Sequence, residues 1–126
     1  MNDKALRILS IGLGILLLFH GIDKVMNGTA FIEKMLNGVH MPYSQYVSYG
    51  VYIGEVVAPL LLIFGKYIRV SGGIIAFNMV VAIFLVHQKD IVTITEYGAW
   101  SIEVPMLYLV AGLTLAVWKI ETKSAK

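Results

Sequence analysis

The sequence predicts an all-α integral membrane protein, a four-helix bundle with both termini cytoplasmic, on three observations. First, the chain of 126 residues is 58% hydrophobic and 14% charged, with a mean hydropathy of +0.77. Soluble domains run nearer about 45–50% apolar and about 25% charged. Second, four apolar segments (5–25, 47–64, 70–87 and 100–118) each approach the about 20 residues that a bilayer-crossing helix needs. Third, the basic residues are distributed unevenly around those segments. Lys4, Arg7, Lys66, Arg69, Lys119, Lys123 and Lys126 fall on one side, and Lys24, Lys34 and Lys89 on the other. Cytoplasmic loops carry the lysine and arginine excess, so the first set is expected inside. A single domain, 1–126, accounts for the whole chain.

Each element follows in order. The first segment begins like a secretory signal, with Lys4 and Arg7 before the oily run Ile8–Phe19. No small-residue cleavage site follows, and His20, Asp23 and Lys24 come instead, so it is read as an uncleaved span. In "TAFIEKMLNG" (29–38), Phe31, Ile32, Met35 and Leu36 recur at helical spacing opposite Glu33 and Lys34. A short amphipathic interfacial helix is expected there, stopped at Asn37-Gly38, either capping the bundle from outside or serving as a solvated connector. "GKYIR" (65–69) is short enough to force the second and third spans into an antiparallel hairpin. Tyr43, Tyr46, Tyr49, Tyr97 and Trp100 would belt the outer interface, with Tyr67 and Trp118 at the inner one.

Ionisable residues inside such spans carry the functional argument. Even the lenient insertion scale charges about 2.5–3.5 kcal/mol for one at mid-membrane, so these groups turn inward and pair. With alternate spans running in opposite directions, His20, Lys24, Glu55, His87 and Glu103 are all expected in the outer half of the bundle. Glu55, about eight residues into the second span, would lie roughly 12 Å below the outer interface. His20 and Lys24, four apart, share a helix face; Glu55 is the expected partner of Lys24, and Glu103 of His20 or His87. Asp23, turned away by one residue, is assigned to the interface.

Tyr52, Gly54, Gly21 and Pro59 support this cluster. Gly21 and Gly54 allow close helix approach. Pro59 lacks an N–H and so deprives the Glu55 carbonyl of its helical partner, while Pro105 would loosen the first turns of the fourth span. The bland reading is that buried ion pairs only fix helix register. His40 is expected to be solvated, Asn78 to make a helix–helix hydrogen bond on the side of its helix opposite His87, and the six methionines to pack.

Several chemistries are excluded or disfavoured. There is no cysteine, so disulfides, thiolate metal sites and thiol chemistry on this chain are excluded. A net charge of +2 gives no basis for nucleic-acid binding. No Glu-x-x-His pairs offer a di-metal site, and no metal is expected. No phosphate loop or Ser–His–Asp set is present. "LFHGID" and "LVHQKD" carry no haem-attachment motif, so haem is disfavoured. What remains is an outer-leaflet pocket with a cationic donor, carboxylates and imidazoles. It suits the polar head of a lipid-soluble molecule; a quinone is one candidate, its carbonyls accepting from Lys24 or a histidine, with Glu55 or Glu103 relaying protons.

The sequence also resembles the DoxX family. "HGIDK" (20–24), the Gly-x-x-x-Pro of "LNGVHMP" (Gly38 to Pro42), "GEVVAPLLLIFGKYIRVSG" (54–72) and "NMVVAIFLVH" (78–87) carry the resemblance, together with Arg7 and Glu103. It implies a small four-span protein of the prokaryotic cytoplasmic (inner) membrane. Relatives of this kind include subunits associated with thiosulfate or quinol oxidation and members linked to thiol and oxidative-stress systems. His20, Lys24, Glu55, His87 and Glu103 fall on the family's recurring polar positions. The chain departs at its end, "WKIETKSAK", where many members carry a Gly-rich stretch and an "SLD"-like segment.

The expectation is therefore an accessory membrane subunit of a quinone- or thiol-linked redox system, not a catalyst on its own. Its partners would be the lipid bilayer and a membrane or periplasmic redox protein, with homo-oligomers open. The alternative is a small transporter or proton pathway gated by the Lys24–Glu55 pair. A purely structural scaffold is a third reading.

Overall fold

The apolar runs become helices here, and glycine marks three of the helix ends, at Gly28, Gly38 and Gly65. A computed structural model describes residues 3–118. Helix α1 covers Asp3–Asn27, α2 Ala30–Gly38, α3 Ser44–Ser48, α4 Ala58–Phe64, α5 Ile68–Leu85 and α6 Glu103–Val117. A π-helical turn, Ile53–Val57, precedes α4, and a 3₁₀ turn, Gln88–Asp90, follows α5. The expected amphipathic helix at 29–38 is α2.

Three stretches are long and apolar enough to cross a membrane: Lys4–Asn27, Ser44–Phe64 and Ile68–Leu85. The fourth apolar helix, α6, has 15 residues, about 22 Å at 1.5 Å per residue. The hydrocarbon core is about 30 Å thick. The segment read as beginning at Trp100 starts as helix only at Glu103, because the residues before it fold back as a loop: the Trp100 indole N–H donates to the Ile91 carbonyl (2.6 Å), and Ile94 bridges Trp100. Pro105 accordingly falls in the first turn of α6, where its missing N–H costs no helical bond. The basic tail Lys119, Lys123 and Lys126 lies outside the described residues.

The second crossing is not a uniform rod. Pro59 cannot donate to the Glu55 carbonyl, and the chain answers with wider i→i+5 bonding, in which the Ala58 N–H reaches the Ile53 carbonyl. Beyond it α4 ends at Gly65, whose φ of +76° suits a residue without a β-carbon. The turn to α5 then closes through Tyr67, also left-handed.

Helix α1 packs along α4, and α5 along α6. The α5–α6 crossing is a small-residue contact: a β-carbon on Gly72 would lie 2.7 Å from the Gly112 carbonyl oxygen. Leu13, Leu17, Leu62, Ile75 and Leu115 fill the interior, while Phe19, Phe77, Phe84 and Leu107 point outward. Lipid is as apolar as these side chains, so tight contact rather than removal from water holds such a bundle together.

One end of the bundle is clasped by arginine. Arg7 donates to the carbonyls of Leu62 (3.2 Å) and Ile63 (3.1 Å) and to the Ser10 hydroxyl (3.2 Å). A β-carbon on Gly65 would come within 2.6 Å of its guanidinium. Arg69 donates to the Ala116 carbonyl at 3.1 Å. Cations thus satisfy the last carbonyls of α4 and α6. The start of α1, the α4–α5 turn and the end of α6 therefore lie together.

Candidate functional site

Toward the opposite end, and extending along α5 from Val70 to His87 just past its end, the helices border a cavity of about 900 Å³. Its walls come from α1, the π turn, α5 and the start of α6. Phe31, Ile32, Met35 and Leu36 of α2 also line it, so the apolar face read from the sequence does cover the bundle. Two contacts fix the position of this cover. The hydroxyls of Thr29 and Ser48 lie 3.0 Å apart, and the Ser44 hydroxyl donates to the Asn37 side-chain oxygen at 2.5 Å.

The polar wall is built around Glu55. The π turn carries it inward, so that the residue is 8% exposed. The Lys24 ammonium lies 3.6 Å from Glu55 Oε1 and 3.5 Å from Asp23 Oδ2. Asn78 Nδ2 donates to Glu55 Oε2 at 3.2 Å. Both ammonium contacts exceed the about 2.7–2.9 Å of a closed charge-assisted bond. Lys24 also lines the cavity, so its ammonium is held between two carboxylates without being locked to either. A donor in that condition can serve a third acceptor.

Small residues make this geometry possible. A β-carbon on Gly21 would overlap the Glu55 carbonyl oxygen, and one on Gly54 would sit 2.7 Å from the Asn78 side-chain carbonyl carbon. The carbonyl that Pro59 deprives of its ordinary partner thus lies against the bare backbone of α1. Tyr52 donates its hydroxyl to the Lys24 carbonyl at 3.1 Å, tying the second crossing to the last turn of α1.

The other expected site residues divide. His20 lines the cavity and meets Tyr108 edge-on, with ring centroids 6.1 Å apart. His87 also lines it, and its Nδ1 faces Asp90 Oδ2 at 3.6 Å. Glu103 is exposed, does not line the cavity and makes no ion pair among the described residues. The expected pairing of Glu103 with His20 or His87 is therefore corrected. Helix α6 begins at Glu103 itself, and a carboxylate in the first turn sits favourably at the positive end of the helix dipole.

For Asn78 the sequence indicates a role but no partner. A mid-span asparagine signals a helix–helix bond, and it makes one, but its partner is Glu55. Both Asn78 and His87 line the cavity. His87 lies two residues past the end of α5 at Leu85, with its N–H still bonded to the Ile83 carbonyl at 3.1 Å.

The fold and this wall define a class first: a multi-pass α-helical membrane protein with a buried cation–carboxylate–amide cluster beside an apolar cavity. The DoxX family model matches residues 5–88, two thirds of the chain, and the protein belongs to the DoxX family. The match includes His20, Lys24, Glu55, Asn78 and His87, and ends before Glu103. No curated protein and no solved structure matches the chain.

Proposed function

We propose that this protein is an accessory membrane subunit of a quinone- or thiol-linked redox system, and that its cavity binds the polar head of a quinone or similar lipid. The observation that carries the reading is the Lys24–Glu55–Asn78 cluster on the wall of a cavity lined mostly by apolar side chains. A carbonyl-bearing head fits these residues: Lys24 offers an ammonium donor, and His20 an imidazole. Glu55 holds Lys24 in place. The apolar tail of such a molecule would lie along Phe77, Ile53 and Val104, which line the cavity and are also exposed on the outside of the bundle. Catalysis is assigned to a membrane or periplasmic partner.

The same reading has four crossings, with α6 as the fourth, and both termini in the cytoplasm of a prokaryote. Support comes from the Lys4, Arg7, Lys66 and Arg69 that gather at one end, since the lysine and arginine excess marks the cytoplasmic side. An extract of gently purified protein, analysed by mass spectrometry, is expected to contain a quinone-class lipid, and added quinone analogues are expected to raise the thermal midpoint. Lys24→Met with Glu55→Gln should abolish both effects. Absence of quinone from the extract together with an unmoved midpoint would sink the reading. The transporter alternative predicts instead a solute or proton flux in proteoliposomes that Glu55→Gln removes.

A further inference from the structure

The loop between α5 and α6 carries an unassigned feature. From Val92 to Thr95 the sequence alternates Val-Thr-Ile-Thr, and the returning strand reads Ala-Trp-Ser-Ile from Ala99 to Ile102. Ile94 bridges Trp100, the Thr95 N–H donates to the Ala99 carbonyl (2.6 Å), and the Ser101 N–H donates to the Thr93 carbonyl (3.1 Å). In such a pairing alternate residues share a face. Val92, Ile94 and Trp100 form an apolar face, and Thr93, Thr95 and Ser101 a hydroxyl face.

The two faces are treated differently. On the hydroxyl face the polar groups satisfy one another: Thr93 Oγ1 lies 2.7 Å from Ser101 Oγ and 3.1 Å from the Asp90 carbonyl, and Thr95 Oγ1 accepts the Ala99 N–H at 3.1 Å. The Trp100 indole N–H is also satisfied, on the Ile91 carbonyl. The apolar face is covered at its base, where Ile102 is 2% exposed, and open toward its tip. Val92 is 89% and Ile94 71% exposed, and Tyr97 at the tip is 89% exposed.

We infer that this amphipathic hairpin lies in the membrane interface at the cavity end, with Val92, Ile94, Tyr97 and Trp100 set into the headgroup–acyl boundary of the lipid. Two independent observations support lipid as the occupant. Helix α6 is short by about 8 Å of the hydrocarbon thickness, and such a deficit is met by thinning the bilayer or by interfacial residues that anchor the short end. In addition, the Trp100 indole N–H is already satisfied on the Ile91 carbonyl, so its ring can lie against the edge of hydrocarbon without an unpaired donor. Tyr and Trp suit the boundary because each has an apolar body and a polar tip. The apolar face continues that of α6 through the exposed Val104 and Leu107.

The inference does not depend on what the cavity binds. Because the chain has no cysteine, single nitroxide labels can be introduced through Val92→Cys, Ile94→Cys and, as a water reference, Lys89→Cys. With the purified protein in phosphatidylcholine–phosphatidylglycerol vesicles, power saturation should show oxygen-dominated collisions at 92 and 94 and nickel-chelate-dominated collisions at 89. A nickel accessibility at 92 and 94 equal to that at 89 would overturn the inference, leaving the face to a protein partner. Dipolar broadening between labels would overturn it in favour of a second copy. A second readout avoids disturbing the hairpin. In Trp118→Phe only Trp100 emits, and lipids brominated near the headgroup are expected to quench it several-fold more than lipids brominated at the chain end; no quenching by either would contradict the assignment.

Discussion

The two ends of this bundle use charge in opposite ways. At the Arg7 end, guanidinium groups bond to backbone carbonyls at 3.1–3.2 Å and close the turn onto α1. At the Lys24 end, an ammonium stands 3.5–3.6 Å from two carboxylates beside a cavity of about 900 Å³. The first arrangement leaves the cation fully engaged with the ends of helices. The second leaves donor capacity facing open space. The difference teaches that depth and charge alone do not mark a site; an ionisable group marks one when its partners hold it without saturating it.

Three substitutions would break or sharpen this contrast. The largest effect is expected from Gly21→Leu, because any β-carbon there overlaps the Glu55 carbonyl oxygen and backbone must move. Overpacking typically costs about 1–3 kcal/mol, and this variant should reach or exceed the top of that range. Gly12→Leu on the same helix, where a β-carbon meets nothing within 4 Å, should be neutral. Thermal unfolding in detergent compares the two directly.

Next comes Arg7→Met, which strips the Leu62 and Ile63 carbonyls of their donor. Hydrogen bonds to charged groups contribute about 1.5–3 kcal/mol, and partial exposure of Arg7 places the loss near about 2 kcal/mol. The thermal midpoint should fall while lipid retained per protein, measured in the same preparation, stays unchanged. Loss of both would show that the two ends are not independent.

The smallest effect on stability is expected from Asn78→Leu. Interhelical hydrogen bonds in membranes average about 0.6 kcal/mol, so the midpoint should shift only slightly. Ligand retention should nevertheless drop, since Glu55 loses one of the contacts that aim it. An unchanged retention would confine Asn78 to packing.

Much of this was legible in the sequence where a single physical rule governs. Helices α1 and α5 follow from uninterrupted apolar runs, and α2 from the spacing of Phe31, Ile32, Met35 and Leu36. Lys24 facing Glu55 follows from depth and the cost of an unpaired charge. Pro59 announced a carbonyl without a partner, but nothing local says that the chain will answer with a π turn and pack Gly21 on that carbonyl, because the answer depends on α1. For Glu103 the depth expectation assumed a helix beginning at Trp100, whereas the apolar content at 100–102 belongs to a hairpin whose alternation has a period of two rather than 3.6.

The central claim is that the cavity receives a lipid-soluble molecule with its head at Lys24 and Glu55. A quinone analogue bearing a photoreactive group on its ring, irradiated with the protein in bilayers and mapped by peptide mass spectrometry, tests it most directly. The account predicts adducts concentrated on cavity-lining residues of α1, the π turn and α5, competed away by unlabelled quinone and lost in Glu55→Gln. Adducts spread over lipid-facing residues such as Phe19 and Leu107, unaffected by competitor or by that substitution, would contradict it.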